Sequence, residues 1–145
     1  MSDSFVGNTI PNDMDFAPAY KKSCKEGNRW TIQNTIAGAG AVKSNLKDMT
    51  VLLETMLKPE QSSLSEAIGL ATEERIAFDE NTKIGFGWMT TTTGDNSVLW
   101  HNGGTGSFAT FMGVNKAKNR GLVLMFNKPL YDEVTATGFE FLNAD

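Results

Sequence analysis

The chain's single histidine, His101, heads the run Trp100-His-Asn-Gly-Gly-Thr-Gly106, where a titratable side chain stands beside backbone bare of Cβ atoms. Acyl transfer needs such a combination. Its tetrahedral intermediate carries negative charge on the former carbonyl oxygen, and fixed N–H donors aimed at that oxygen are worth about 3–4 kcal/mol. Glycines also mark places where a ligand or a second backbone comes close. The plain alternative is a Gly-rich hairpin turn with a polar first residue, His101 then being an imidazole hydrogen-bonded at a strand end.

The surrounding segments must position this run. Ile84 to Thr91, Ser97 to Trp100, Ser107 to Val114 and Gly121 to Phe126 are β-branched and aromatic runs. Gly94-Asp95-Asn96 and Lys116 to Arg120 part them with turn chemistry, so antiparallel hairpins are expected. The continuously apolar Leu122 to Phe126 predicts a central strand covered on both faces. Alternation puts Trp100 on the face opposite His101, beneath a C-terminal helix. Trp88, Phe108 and Phe111 read as core, and the scattered methionines as core filler. That helix opens after Pro129, with Asp132 and Glu133 in its first turn and Val134, Phe141 and Leu142 as its stripe, and ends near Asn143. Apolar steps of three and four predict another helix over Ser44 to Leu57, with Asn45 as N-cap and Asp48 as the acidic end of a capping box. A shorter one is expected from Leu64 to Leu70. The resulting organisation is one domain over 1–145: an irregular segment (1–36), a helical part (37–83), antiparallel strands (84–127) and a C-terminal helix (129–143). The fold class is α/β (α+β), an antiparallel sheet with packed helices. The long irregular opening suggests a segment that wraps over a partner subdomain.

Composition narrows the chemistry. A net charge of −4, with the basic residues scattered except for Lys21, Lys22 and Lys25, argues against a nucleic-acid partner. No apolar run approaches the ~20 residues of a membrane helix. Met1 to Phe5 has neither the basic nor the apolar region of a signal peptide. One cysteine and one histidine exclude an internal disulfide and leave no set of ligands for structural zinc. No metal and no cofactor is expected. Cys24, in a Lys/Ser/Gly-rich loop, is a poor nucleophile candidate.

The order Ile84-Gly-Phe-Gly-Trp88, Val98 to Gly106, Phe108 to Val114 and Gly121 to Asn127 resembles the serine β-lactamase and penicillin-binding-protein-like hydrolases. The likeness is to the class C-related branch, which includes esterases and D-amino-acid peptidases. Ala37-Gly-Ala-Gly-Ala to Asp48 resembles that branch's Gly-rich segment and capped helix. Met1 to Phe5 and Ala17 to Tyr20 resemble the stretch following the second motif. The resemblance implies acyl transfer to water on an ester, amide or β-lactam. His101 then takes the place usually held by Lys, Asn102 that of Thr and Gly103 that of Gly, while Gly104 supplies an oxyanion N–H. In these roles His101 and Gly104 are catalytic, and Asn102, Gly103 and Thr105 bind substrate. Relatives are often periplasmic or secreted.

Two motifs of that family have no family-positioned counterpart. Tyr-x-Asn and Ser-x-Asn are absent, since Tyr20 precedes Lys21-Lys22 and Tyr131 precedes Asp132-Glu133. Ser44-Asn-Leu-Lys47 is formally Ser-x-x-Lys, but it coincides with the family's later capped helix, so a Ser/Asn cap is the expected role. The chain thus resembles the C-terminal portion of such a hydrolase, inactive by itself. Its partners would be a small-molecule acyl substrate in the intact enzyme, and a complementary N-terminal half or a second copy. The alternative is a non-catalytic, degenerate module that self-associates or binds a partner.

Overall fold

In a computed structural model, which describes residues 1–32 and 34–144, eight strands and three α-helices follow one another. Strands β1 (Phe5–Val6) and β2 (Val42–Lys43) form a small antiparallel pair, followed by helices α1 (Leu46–Leu57) and α2 (Ser65–Thr72). Six strands then run as an antiparallel meander: β3 (Ile76–Ala77), β4 (Thr82–Ile84), β5 (Met89–Thr93), β6 (Asn96–Thr105), β7 (Phe108–Asn115) and β8 (Arg120–Phe126). Helix α3 (Tyr131–Asn143) closes the chain. The α+β class and its antiparallel sheet agree with the sequence reading.

The sheet is cored on both faces. On one face Leu53 and Met56 of α1 and Ile68 of α2 meet Leu99, Met112 and Val114, with Trp88 against them. On the other, Val134 and Leu142 of α3 meet Val98, Ala109 and Phe111. Trp100 lies on that second face, stacked on Phe111 at 6.0 Å and edge-on to Phe139 at 5.0 Å, as alternation requires. Gly138 lets α3 come this close, because a Cβ there would stand 2.3 Å from Phe111 Cε1.

Several local expectations are corrected. Ile84 to Thr91 is not one strand: Gly85 brings the backbone against the end of α2, where a Cβ would lie 2.6 Å from Glu73 O, and Gly87 turns with a positive φ of 82°. Strand structure also begins before residue 84, in β3 and β4. Among the described residues the apolar β8 is an edge strand, paired only with β7. Its run reflects cover from α1 on one face and α3 on the other, while Met125 and Phe126 are exposed. Phe141 is exposed and Phe139 takes its place in the core. Helix α2 extends past Gly69, with Ile68 inward but Leu64 exposed.

The opening segment, expected to wrap over a partner subdomain, is anchored on this chain's own sheet. Tyr20 N–H donates to Asn127 O at 2.9 Å, Ser107 N–H to Asn28 O at 3.1 Å, and Phe16 packs edge-on against Phe108. Residue 33 of that segment lies outside the described residues. The segment's start is held by α1. Asn45 caps that helix by accepting from the Asp48 N–H at 2.8 Å. The Asp48 carboxylate does not complete a capping box; it accepts from Asp3 N–H at 2.8 Å and Ser4 Oγ at 2.7 Å. The Ser4 hydrogen bond chiefly lowers its pKa below the ordinary 3.8, against the opposing effect of burial. The ionised form is therefore the one the fold prefers. This stabilisation is full above the ordinary carboxylate pKa and is lost as pH falls through the depressed folded value. Asp48→Asn should lower the melting temperature at neutral pH and flatten its decline between about pH 5 and pH 2, which thermal melts across that range would measure. A parallel decline in both proteins would remove Asp48 as the cause.

Candidate active site

The Gly-rich run is not a turn. His101 to Thr105 continue β6, and only Gly106-Ser107 form the hairpin, Gly106 with a φ of +63° that suits glycine. Antiparallel pairs alternate between bonded and non-bonded positions. A two-residue loop makes Thr105 and Phe108 a bonded pair, so Gly103 with Thr110 and His101 with Met112 are bonded too. Asn102 and Gly104 therefore turn their N–H and C=O groups to the opposite side of β6. The pairing with β5 has the same parity: its two-residue loop makes Thr93 and Asn96 a bonded pair, and hence Met89 and Trp100 another. Strand β5 ends its pairing there, so Asn102 and Gly104 point their backbone groups to a side of β6 where, among the described residues, no strand pairs. Glycines are tolerated because one side of this stretch is held fully by β7.

That open edge faces a groove of about 300 Å³ lined by Trp30, Asn102, Gly103, Gly104 and Tyr131. Tyr131, the first residue of α3, lies over Gly104, where a Cβ would come within 2.7 Å of its Cε1. Its hydroxyl donates to Gly106 O at 2.5 Å, which locks the ring over the hairpin. Trp30 bounds the groove from the opening segment and is 57% exposed. Asn102 Nδ2 donates to Thr135 Oγ1 at 3.0 Å, tying β6 to α3. Beside Tyr131, the Glu133 carboxyl is held below its ordinary value, first by its own N–H at the helix start and then by Lys22 at 3.2 Å.

Of the five residues the sequence singled out, Asn102, Gly103 and Gly104 meet in this groove. His101 is exposed and lies on the other face of β6, its Nδ1 in a short contact with Asn102 O. Thr105 shares that face and is half-buried, its methyl against Gly40. The decoy Ser44 lies elsewhere, its Oγ 2.7 Å from Ser4 Oγ, while Lys47 is exposed. Cys24 is exposed, its sulfur 2.9 Å from Lys128 Nζ. Sequence reasoning missed Trp30 and Tyr131 as groove walls. Tyr131 carried a faint signal as an aromatic at a helix start; Trp30 stood in a stretch with no period at all.

The model of the Beta-lactamase family matches residues 1–142. No match was found among curated proteins.

Proposed function

As this chain belongs to the Beta-lactamase family, we propose that it carries the substrate-side strand of a serine hydrolase that transfers acyl groups from an ester, amide or β-lactam to water. The observation that carries the reading is the β6 edge at Asn102 and Gly104, which lies beyond the end of the β5 pairing and beside an open groove. In this reading Gly104 N–H is an oxyanion donor, set in place before reaction by the β6–β7 ladder. Gly103 leaves room for an acyl chain to lie along β6. Asn102, held by Thr135, lines that path. His101, on the other face of β6, takes no part in bond breaking in this reading. The nucleophile and base come from a segment carrying Ser-x-x-Lys and Tyr-x-Asn, neither of which is assigned within these 145 residues. Ser44 is a helix-flanking hydroxyl in the Ser4–Asp48 network.

The direct test is covalent labelling. Incubated alone with a fluorescent penicillin or an activated ester, the chain should form no stable acyl-enzyme by intact mass. Stoichiometric labelling at Ser44 would make that residue the nucleophile and overturn this assignment.

A second reading, a non-catalytic module that self-associates or docks on a complementary half, is favoured by the open edge of β8 and its exposed Met125 and Phe126. Unpaired apolar edges recruit strands. Sedimentation over a range of concentrations should show a mass that rises with concentration. A monomer throughout, with a sharp cooperative melt, would count against it.

A further inference from the structure

We propose that the groove between α1 and the β7–β8 turn is a second ligand site, which takes a zwitterionic α-amino acid with an apolar side chain. Three stretches of chain build it. Val51, Glu54 and Lys58 line it from α1 and its end, at a spacing that puts them on one stripe, away from the core stripe of Leu53 and Met56. The chain then turns back at Pro59, which brings Gln61 and Ser62 to the same groove. Asn119 borders it from the β7–β8 turn, in a left-handed conformation with a φ of 49°. The cavity measures about 460 Å³, within the range of small-molecule sites. It shares no residue with the groove at Gly104. The length of β7, eight residues, puts roughly 23 Å between the turns at its two ends. The site is therefore independent of the acyl-transfer reading.

Glu54 and Lys58 decide the ligand class. They carry opposite charges one turn apart, the spacing at which such side chains pair on an exposed helix. They do not pair here, since the ion pairs among the described residues lie elsewhere. The pairing they forgo is weak, so a ligand that meets both charges replaces it at little cost. A ligand ammonium can meet Glu54 while its carboxylate meets Lys58. A simple anion drawn to Lys58 is repelled by Glu54, and a simple cation drawn to Glu54 is repelled by Lys58. The side-chain amides of Gln61 and Asn119 make no hydrogen bond among the described residues, and both can donate to or accept from a bound amino acid. Val51, 45% exposed on the same stripe, offers apolar surface to the ligand's side chain.

The test titrates the full 145-residue chain with valine, N-acetylvaline, valinamide and glycine at neutral pH. It follows the backbone amides of Glu54, Lys58 and Asn119 by NMR. Valine should shift all three amides to saturation. N-Acetylvaline keeps only the carboxylate and valinamide only the ammonium. Each should bind about 2–5-fold more weakly than valine, the scale of one exposed ion pair. Glycine should also bind more weakly, because it leaves Val51 uncovered. Glu54→Gln should bring valine level with N-acetylvaline, and Lys58→Gln should bring it level with valinamide. Both residues are exposed, so the fold should be kept, and the same spectra report whether it is. Amides that do not move with valine, equal binding of the three valine compounds, glycine bound as tightly as valine, or a preference that survives either substitution would overturn the assignment. Shifts at the Gly104 amide instead of these three would place the ligand in the other groove and overturn it equally.

Discussion

Phe111→Ala should cost about 3–5 kcal/mol of folding stability, the range for emptying a buried Phe site. Phe111 is 1% exposed and sits where β7 meets α3, stacked on Trp100 and edge-on to Phe139, each at 6.0 Å. Its ring also fills the space that Gly113 and Gly138 leave open. Neighbouring backbone is held in the β6–β7 and β7–β8 ladders, so the cavity cannot close readily. A domain's whole stability is about 5–15 kcal/mol, so the variant should approach the unfolding threshold. The melting temperature should fall by roughly 10–20 °C, on the scale for a chain of this size. Phe141→Ala is the matched control. Phe141 is on the same helix but 49% exposed, and its loss should stay within about 0.5 kcal/mol. Urea titration of both variants would measure the contrast. Similar losses for the two would mean that α3 does not pack on Phe111 as described.

Gly104→Pro should reduce acyl transfer by about 10²–10³-fold in the hydrolase completed with its nucleophile segment, the effect of deleting one oxyanion donor. The substitution removes the N–H without breaking a ladder bond, because that N–H points away from β7 and beyond the end of β5. Proline is tolerated in strands when its missing N–H faces outward. Any side chain at this position meets Tyr131, at 2.7 Å from a Cβ, so Gly104→Ala supplies the control for crowding. Alanine keeps the donor. If alanine and proline cost the same, crowding of Tyr131 explains the loss and the oxyanion role fails. His101→Ala should cost no more than about tenfold, since His101 is exposed on the face of β6 away from the groove. Steady-state kinetics on all three variants, with kcat and KM separated, would rank them.

Legibility in the sequence followed the range of the interaction. Turn chemistry at Gly94-Asp95 and at Lys116 to Arg120 was enough to predict antiparallel hairpins, because hairpin pairing is decided within a few residues. Asn45 could be read as a cap and Pro129 as the approach to α3 for the same reason. Alternation placed Trp100 under α3, since side chains change face at every residue of a strand. Asn102, Gly103 and Gly104 could be singled out because the run from His101 resembles the family's third motif, the glycines alone fitting a plain hairpin as well.

The rest depended on neighbours distant in sequence. An apolar run records that both faces of β8 are covered, but says nothing about whether its edge is paired, so β8 read as central. Glycines at 103 and 104 weaken a strand locally, yet seven register pairs with β7 carry β6 straight through them. Asp48 had the spacing of a capping box, but Asp3 and Ser4 reached it first from the start of the chain. The split of Asn102 and Gly104 from His101 is a matter of strand parity, which needs the hairpin loop to be located to the residue. Trp30 and Tyr131 become two walls of one groove only when the opening segment and α3 dock on the same end of the sheet. Thus the residue types that line the groove were written locally. Which backbone groups stayed unpaired, and what flanked them, was decided by where the sheet's partners stopped.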